Sequence, residues 1–447
     1  MKNVKKFIPL LGAIPFILGS LGYYMAGVPF ADALYGAFTL YFSSPSAEGY
    51  NGLIEAARWT APATTITAFA YLLRSAWEKL TWFVKSRAKD SIAVYAEADF
   101  SIEDYAGKPV IYAGKKIIPK AKSQILLFKT DRENIEFYEA NKKQLQNKKV
   151  YIGIREIELG FFRDSKAVFF DINGTIARLL WKEIKIWTFG KNKITIVIYG
   201  DSVLGQSILS AGLLINLFHV DQQVDYTFIT DCHSYERKHK DMELWNADRI
   251  CYVSKEDRTA DETLESADVV IVADEVSLDT LQTICVCTRS KDIYYYAPNK
   301  NPISELLHME SLHPFGKTEQ IFSNENIRRE KMLENAKELH QKYQEKHAGT
   351  ENWENLSGFL KWSNISASDY LDVMKQLKPG ASDEMLAKLE HIRWSRFYSL
   401  NYWSYGTPKA GKNRDEKLKI HKCLVRYDEL TQEEKEKNLD VVKQMYT

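Results

Sequence analysis

The sequence has almost no net charge and few cysteines. Its 447 residues include 60 Lys and Arg and 59 Asp and Glu, a net charge of +1. Without a positive field to hold a polyanion, a nucleic-acid partner is not expected. The five cysteines are odd in number and match no zinc spacing, which argues against a disulfide framework and a zinc site. We interpret Cys285 and Cys287, in an apolar helical run, as core thiols rather than a metal or redox pair.

The length and composition indicate a globular, multidomain chain. At about 150 residues per domain, 447 residues allow roughly three units. Hydrophobic residues make up 45% and charged residues 27%, which excludes a disordered or collagen-like chain. The apolar residues are unevenly distributed along the chain.

The N-terminal segment has two apolar stretches that predict membrane-spanning helices. Residues 7–30 are uncharged, and a second uncharged run at 59–73 continues as an amphipathic extension to Val84. Each can cross a hydrocarbon core about 30 Å thick if flanking Lys and Arg reach the interface. Basic residues before the first stretch and behind the second place both ends in the cytoplasm. A multi-pass inner-membrane protein with a cytoplasmic bulk is expected; a cleaved signal peptide is the alternative for 7–30.

Between these stretches lies a short amphipathic segment, residues 31–42, followed by a polar loop. It is either a re-entrant pore loop or an external loop with an interfacial helix. The layout resembles the two-transmembrane potassium-channel family, with outer helix 7–30, pore helix 31–42 and inner helix 53–84. The family's Thr-Val-Gly-Tyr-Gly filter is absent from this segment. The resemblance implies pore-lining roles for Leu40, Tyr41, Phe42, Ser43, Ser44 and Glu48.

From residue 193 onward, strand and helix patterns alternate. Apolar runs at 194–199, 224–230, 249–253, 268–273 and 292–297 predict buried strands with helices between them. Strict alternation predicts a parallel, doubly wound sheet of the Rossmann type.

The first of these strands is followed by Gly200-Asp-Ser-Val-Leu-Gly205, a dinucleotide-binding fingerprint with Ser202 in place of its middle glycine. Gly200 allows the tight turn and Gly205 the close approach of the helix, whose N-terminus favours a phosphate. Asp231, at the end of the next strand, can hold a ribose hydroxyl pair or serve simply as a cap or turn former. These four residues are the nucleotide-binding candidates.

An earlier stretch predicts a reduced copy of the same unit. Residues 91–95, 124–128, 149–154 and 166–170 read as strands and 132–146 as a charged helix, with no glycine fingerprint. Tandem Rossmann-like units behind a membrane hairpin resemble the regulator-of-potassium-conductance (TrkA-N-like) assemblies. That resemblance implies cytosolic nucleotide-binding domains that pull on pore helices.

The C-terminal segment follows a charged connector helix at 326–347. Its motifs Glu390-His-Ile-Arg-Trp394, Asn401-Tyr-Trp-Ser-Tyr-Gly406 and His421-Lys-Cys-Leu-Val-Arg-Tyr-Asp-Glu-Leu430 closely resemble the ryanodine-receptor (RyR) repeat family, which is expected to form a small α+β domain. Aromatic faces beside cations can stack a base and meet a phosphate, whereas the alternative is an aromatic core that closes a small domain. Trp394 is interpreted as core. The ligand-binding candidates are Arg393, Trp403, Tyr405, His421 and Tyr427.

Together these segments predict a ligand-gated membrane channel or pore-forming effector. The domains are expected at 1–88 (membrane), 89–190 and 191–322 (Rossmann-like), 323–350 (connector) and 351–447 (RyR). Expected partners are membrane lipid, further copies of the chain as a tetramer or dimer, and a nucleotide-type ligand such as NAD or an ADP-ribose derivative. The RyR resemblance implies a role in antiviral defence.

The sequence is compatible with two other functions. One is a non-conducting, membrane-anchored sensor or scaffold. The other, an oxidoreductase, is disfavoured because no nucleophile–base pair or metal set accompanies the Gly200 motif. No catalytic residue is therefore assigned.

Overall fold

The protein is described by a computed structural model. It covers residues 4–97, 109–156, 167–288, 292–298, 311–328, 330–347, 349–409 and 412–445, with side chains except at 4–11, 324, 330–331 and 444–445. The chain forms two compact units, Met1–Lys89 and Asp90–Thr447.

The N-terminal unit is a helical hairpin with a short helix between its arms. Its elements are α1 (Val4–Met25), α2 (Phe30–Thr39), a 3₁₀ turn (Leu40–Phe42) and α3 (Gly52–Arg87). Asn51 caps α3, because its side-chain oxygen accepts hydrogen bonds from the backbone N–H groups of Leu53 and Ile54. Its amide group also donates to the Gly22 carbonyl of α1 at 2.7 Å. The start of α3 is thereby tied to α1.

Among the described residues, no helix is both long and apolar enough to cross a membrane. The predicted hairpin and its short middle helix are present, but the described helices do not support the spanning of a bilayer by 7–30 and 53–84. In α3 the apolar residues are interrupted by threonines and by charged side chains. The charged ones are Glu55, Arg58, Arg74, Glu78, Lys79, Lys85 and Arg87.

The candidate pore residues Leu40, Tyr41, Phe42, Ser43, Ser44 and Glu48 lie in the 3₁₀ turn and in the loop behind it. Leu40 is buried in the hairpin, and the Tyr41 hydroxyl donates to the Gly12 carbonyl of α1. Ser43 has left-handed backbone (φ 55°) and ends the turn. Leu40 and Tyr41 therefore hold the hairpin together, while Phe42, Ser44 and Glu48 are exposed.

The first sheet of the C-terminal unit has five parallel strands in the order β2-β1-β3-β4-β5. They are β1 (Ile92–Tyr95), β2 (Val110–Tyr112), β3 (Ser123–Leu126), β4 (Lys149–Ile154) and β5 (Val168–Asp171). This is a doubly wound order of the flavodoxin type. The sequence pattern did not predict β2, because a three-residue edge strand carries too little periodicity.

The second sheet has six parallel strands in the order β11-β10-β9-β6-β7-β8. They are β6 (Lys193–Tyr199), β7 (Gln223–Ile229), β8 (Arg249–Val253), β9 (Val269–Val272), β10 (Ile293–Tyr296) and β11 (Leu312–Phe315). This is the 3-2-1-4-5-6 order of the Rossmann fold. The predicted parallel, doubly wound architecture is confirmed, and β11 is added to the predicted strands.

The helices of the two sheet domains are α4 (Asp131–Leu145), α5 (Ile172–Ile184), α6 (Val203–Ile215), α7 (Ser234–Lys238), α8 (Thr259–Ser266) and α9 (Leu278–Thr288). α5 leads from the first sheet to the second and packs on α6. At their contact, fully buried Trp181 donates its indole N–H to the Ile208 carbonyl at 2.8 Å. Gly212 of α6 lies against the Trp181 ring, where a Cβ would come within 2.9 Å of it.

The C-terminal region consists of helices and a small sheet. The helices are α10 (Thr318–Ile321), α11 (Asn324–Arg328), α12 (Glu330–Lys346), α13 (Gly358–Leu377), α14 (Asp383–Leu400) and α15 (Gln432–Met445). The sheet has the order β12-β14-β13, with β12 (Ser404–Tyr405), β13 (Arg414–Asp415) and β14 (Ile420–His421).

Arg396 of α14 ties this region to the second sheet domain. Its side chain is fully buried, and it donates to the Asp248 carboxylate at 2.7 Å and to the Asn246 side chain at 2.6 Å. It also donates to the backbone carbonyls of Leu213 and Leu244, at 2.9 and 2.8 Å. One guanidinium thus joins α14 to α6 and to the segment before β8.

Candidate functional site

The glycine turn after β6 has the geometry expected of a Rossmann fingerprint. Gly200 has φ +96°, and a Cβ there would lie 2.1 Å from the Asp274 carboxylate. A Cβ on Gly205 would lie 2.5 Å from the Gly200 carbonyl oxygen. The Ser202 side chain caps α6 by accepting a hydrogen bond from the Gly205 N–H at 3.2 Å. Both glycines are therefore required by the turn.

The surroundings of this turn are acidic. The Asp274 carboxylate lies against Gly200, and the Asp201 carboxylate accepts hydrogen bonds from the backbone N–H and hydroxyl of Ser234. Repulsion between these carboxylates and a pyrophosphate weakens the turn as a dinucleotide site.

Asp231 acts as a turn former. Its carboxylate accepts hydrogen bonds from the Ser254 hydroxyl at 2.7 Å and from the Lys255 N–H at 3.1 Å. These bonds hold the pKa of Asp231 below its usual range. The nucleotide-binding candidates thus lie together at the carboxyl ends of β6 and β7, and the Asp231 carboxylate is engaged by protein donors.

A cavity of about 350 Å³ lies within the C-terminal region, between α12, α13, α14, α15 and the small sheet. An aromatic cluster forms one side of it. The Trp394 ring lies 4.4 Å from the Tyr398 ring, 5.7 Å from His391 and 4.9 Å from His421, measured between centroids. The His391 and Trp394 rings are stacked at 21°, whereas His421 meets Trp394 edge-on at 77°.

Both histidines of this cluster are held neutral. His391 donates from Nε2 to the Val425 carbonyl at 2.8 Å, and burial lowers its pKa. His421 Nδ1 accepts from the Cys423 N–H at 3.0 Å. Burial, with Arg414 close by, lowers the pKa of His421 to about 4. The proton of neutral His421 is consequently on Nε2, and no described residue accepts a hydrogen bond from it.

Some charged side chains of the cavity are paired with other protein groups, and Arg414 is paired only weakly. Arg393 is buried and forms a bidentate pair with Glu390 at 2.7 Å, and it also donates to the Ser366 hydroxyl. Lys437 is paired with Glu434 at 3.2 Å. Arg414 is partly exposed, and its contact with Glu416 is 3.5 Å long. Arg414 is therefore the cation best placed to meet an anionic group of a ligand.

Two of the five ligand-binding candidates of this region, Arg393 and His421, line the cavity, and Trp403, Tyr405 and Tyr427 are not among the residues described as lining it. Trp403 is buried and stacks on Phe359 at 5.0 Å, and Tyr405 is 61% exposed. Tyr427 packs edge-on against His391 at 5.9 Å.

Sequence reasoning treated Trp394 as core and missed Tyr398, His391 and Arg414 as lining residues. The spacing 391, 394 and 398 places three aromatic rings on one face of a helix, and that signal was available in the sequence. Arg414 offered no comparable signal, because it reaches the cavity from β13, which the pattern did not predict.

We expect the protein to lose stability in acid because of His421. An unfolded histidine has a pKa of about 6.5, and that of folded His421 is about 4. As the pH falls, the unfolded chain thus takes up this proton before the folded chain does. The contribution of neutral His421 to the free energy of unfolding is therefore complete above pH 6.5 and is lost as the pH falls toward 4. From pH 7 to pH 5 the loss from this residue is about 2 kcal/mol.

Denaturant unfolding at both pH values tests this. His421→Asn, whose amide oxygen can accept the same N–H, should lose less stability between pH 7 and 5 than the unmodified protein. His233→Asn is the control, since His233 is exposed. Equal acid sensitivity of His421→Asn and the unmodified chain would contradict the assignment.

Comparison with known proteins agrees with the C-terminal prediction. Residues 372–447 match the family model of the RyR domain. No curated protein and no solved structure matches the chain. The matched segment begins inside α13, so the α12 side of the cavity comes from residues before it.

Proposed function

We propose that the cavity of the RyR region binds a nucleotide-type ligand, and that the chain is a membrane effector that responds to it. The observation that carries the proposal is the combination of the Trp394–Tyr398–His421 cluster with Arg414 in one cavity of about 350 Å³. Cavities of this size and mixed lining are typical of small-molecule sites.

The cavity offers the two kinds of contact that a nucleotide needs. Aromatic rings give a base a surface for stacking, worth about 1–3 kcal/mol per base. The Nε2–H of His421 supplies a donor for a base or ribose oxygen. Arg414 supplies a planar guanidinium, which suits a phosphate.

We place the ligand in this cavity rather than at the Gly200 turn. The turn has the Asp201 and Asp274 carboxylates beside it, and these would repel a pyrophosphate. The RyR cavity has its acids Glu390 and Glu434 already paired with Arg393 and Lys437. An anionic ligand therefore meets less repulsion there. The candidate ligands are NAD, an ADP-ribose derivative or another nucleotide signal.

The membrane part of the proposal is supported by the surface of the N-terminal unit. Large apolar side chains that would be buried in an ordinary soluble hairpin are exposed on α1 and α3. They include Ile17, Leu21, Tyr24, Trp59, Ile66, Phe69, Leu72 and Trp77. Many large apolar side chains exposed on the same two helices are typical of contact with lipid or with another protein surface. We propose that it contacts lipid and further copies of the chain, as a tetramer or a dimer, around a conduit.

The ligand site is tested by calorimetric titration of the purified full chain with NAD and with ADP-ribose. Arg414→Gln should weaken binding of the ligand that binds by about tenfold or more, since a charged hydrogen bond contributes about 1.5–3 kcal/mol. Tyr405→Ala is the matched control, because Tyr405 is an exposed aromatic residue outside the cavity. Binding that is insensitive to Arg414→Gln and to Trp394→Leu would move the site elsewhere.

The effector part is tested separately with the chain reconstituted into liposomes. Ligand-dependent ion flux supports a conducting channel. Ligand binding without flux would leave the alternative, a non-conducting anchored sensor. Failure of the chain to associate with liposomes would contradict the membrane assignment without affecting the ligand site.

A further inference from the structure

A second cavity, of about 280 Å³, lies where α6 faces α13 and α14. One face of α6 lines it at helical spacing, with Val203, Ser207, Ala211 and Leu214. The opposite face of α6 is buried in the core. Small side chains at Ser207 and Ala211 leave the space between the helices open.

The facing wall of the cavity is apolar and largely aromatic. Phe359 and Trp362 come from α13, and Phe397 and Leu400 come from α14. The Phe359 and Phe397 rings are 5.4 Å apart and tilted by 34°. With Leu214 opposite, these side chains form walls that fit a flat apolar molecule.

One end of the cavity carries a guanidinium that makes few hydrogen bonds to the described residues. Arg155, which follows β4, donates from one Nη atom to the Phe128 carbonyl at 3.0 Å, and this is its one side-chain hydrogen bond to a described residue. Burial lowers the pKa of Arg155, and the neighbouring Asp131 carboxylate acts in the opposite direction. The nearby Asp131 carboxylate accepts hydrogen bonds from the backbone N–H groups of Arg155 and Glu156.

The other charged groups at this end are exposed or already engaged. Glu156 is exposed, and the Asp171 carboxylate accepts a hydrogen bond from the Gly174 N–H at 2.8 Å. Arg178 donates to the Asp369 carboxylate at 3.1 Å and to the carbonyl of Gly174 at 3.2 Å. Asp369 also meets Lys182 at 3.4 Å. Of the two guanidinium groups at this end, Arg155 is therefore the one that can take an anionic partner from a ligand.

We propose that this cavity binds a small aromatic carboxylate, with its ring between Leu214 and Trp362 and its acid group at Arg155. The site is distinct from the RyR cavity; α13 and α14 form the wall between them, and the Arg393–Ser366 hydrogen bond crosses that wall. Because the lining comes from both sheet domains and from the C-terminal helices, an occupant stabilises their packing against one another.

The probe for the test is 3-(4-fluorophenyl)propanoate, followed by fluorine NMR with the purified full chain. A molecule of this size is expected to bind with a Kd of about 1 mM, seen as broadening of its fluorine signal and a rise in Tm. Leu214→Trp fills the cavity and should abolish the broadening. Leu278→Trp makes the same change on α9, where Leu278 is 62% exposed, and serves as the control. Ala211→Leu is a second, smaller filling variant should Leu214→Trp fail to fold.

The acid contact is tested by Arg155→Gln and by the neutral amide of the probe. Each is expected to weaken binding by about fivefold or more, since each removes one charge from a charged hydrogen bond. The proposal is overturned if the unmodified chain does not bind the probe at about 10 mM, ten times the expected Kd. It is also overturned if both cavity-filling variants bind the probe as well as Leu278→Trp does. Equal binding of the amide would overturn the carboxylate assignment.

Discussion

Replacing Arg396 with methionine is expected to lower the free energy of unfolding by about 3–5 kcal/mol. The Arg396 guanidinium and the Asp248 carboxylate are both completely buried and 2.7 Å apart. Methionine fills a similar volume but leaves the Asp248 charge in the interior, where the Val224 N–H and the Gln222 amide are its remaining donors among the described residues. The cost is thus that of an uncompensated buried charge rather than of a lost contact.

A double-mutant cycle measured by denaturant unfolding separates these terms. Asp248→Asn alone should also destabilise, because it strands the Arg396 charge. The Arg396→Met and Asp248→Asn double variant should lose less than the sum of the two single losses. If the two losses simply add, the pair is not coupled and this explanation is wrong.

Arg132→Met is the matched control for burial. Arg132 forms an ion pair with Glu136 at the same distance, 2.7 Å, but the two side chains are 85% and 63% exposed. Solvent screens this pair, so its removal should leave the unfolding midpoint nearly unchanged. The comparison holds geometry constant and varies exposure.

The second large effect is expected at the contact between α5 and α6. Trp181→Ala should cost about 3–5 kcal/mol, since it removes a fully buried indole and leaves a cavity between the helices. It also removes the hydrogen bond to the Ile208 carbonyl. Denaturant unfolding of the purified chain measures the loss. A cost below about 1 kcal/mol would mean that the two helices repack without it.

Gly212→Ala tests the same contact from the other side. Alanine is favoured over glycine inside a helix by about 1 kcal/mol, yet here its Cβ would lie 2.9 Å from the Trp181 ring. We therefore expect destabilisation of about 1–3 kcal/mol. Gly358→Ala, in α13, has no neighbour within 4 Å of the added Cβ and should not destabilise. If Gly212→Ala raised the free energy of unfolding, the Trp181 ring would have to shift to accept the added methyl group.

Much of the architecture could be predicted because its signals are local. The alternation of apolar runs and helical patterns from residue 193 gave the parallel sheet, and the RyR motifs gave the C-terminal domain. The edge strands β2 and β11 could not be predicted in this way. β2 has three residues, and in β11 His313 and Pro314 interrupt the apolar run.

Apolar runs in the N-terminal segment indicate helices but do not by themselves decide what those helices contact. The runs correctly indicated helices, because an apolar run is found both in helices that pack against protein and in helices that cross a membrane. Whether those helices cross a bilayer depends on hydropathy over a whole helix, and in α3 charged residues such as Arg74, Glu78 and Lys79 continue the helix far beyond the apolar run.

The candidate sites depended on contacts that no local pattern contains. Local chemistry was sufficient for the glycine turn, where Gly200 and Gly205 are required by backbone sterics alone. The binding capacity of Arg393, by contrast, was settled by Glu390 and Ser366, which take up its donors. The cavity lined by Trp394 and Arg414 exists because packing brings α14 and β13 together. Backbone conformation follows from neighbouring residues, whereas the availability of a charge follows from everything folded around it.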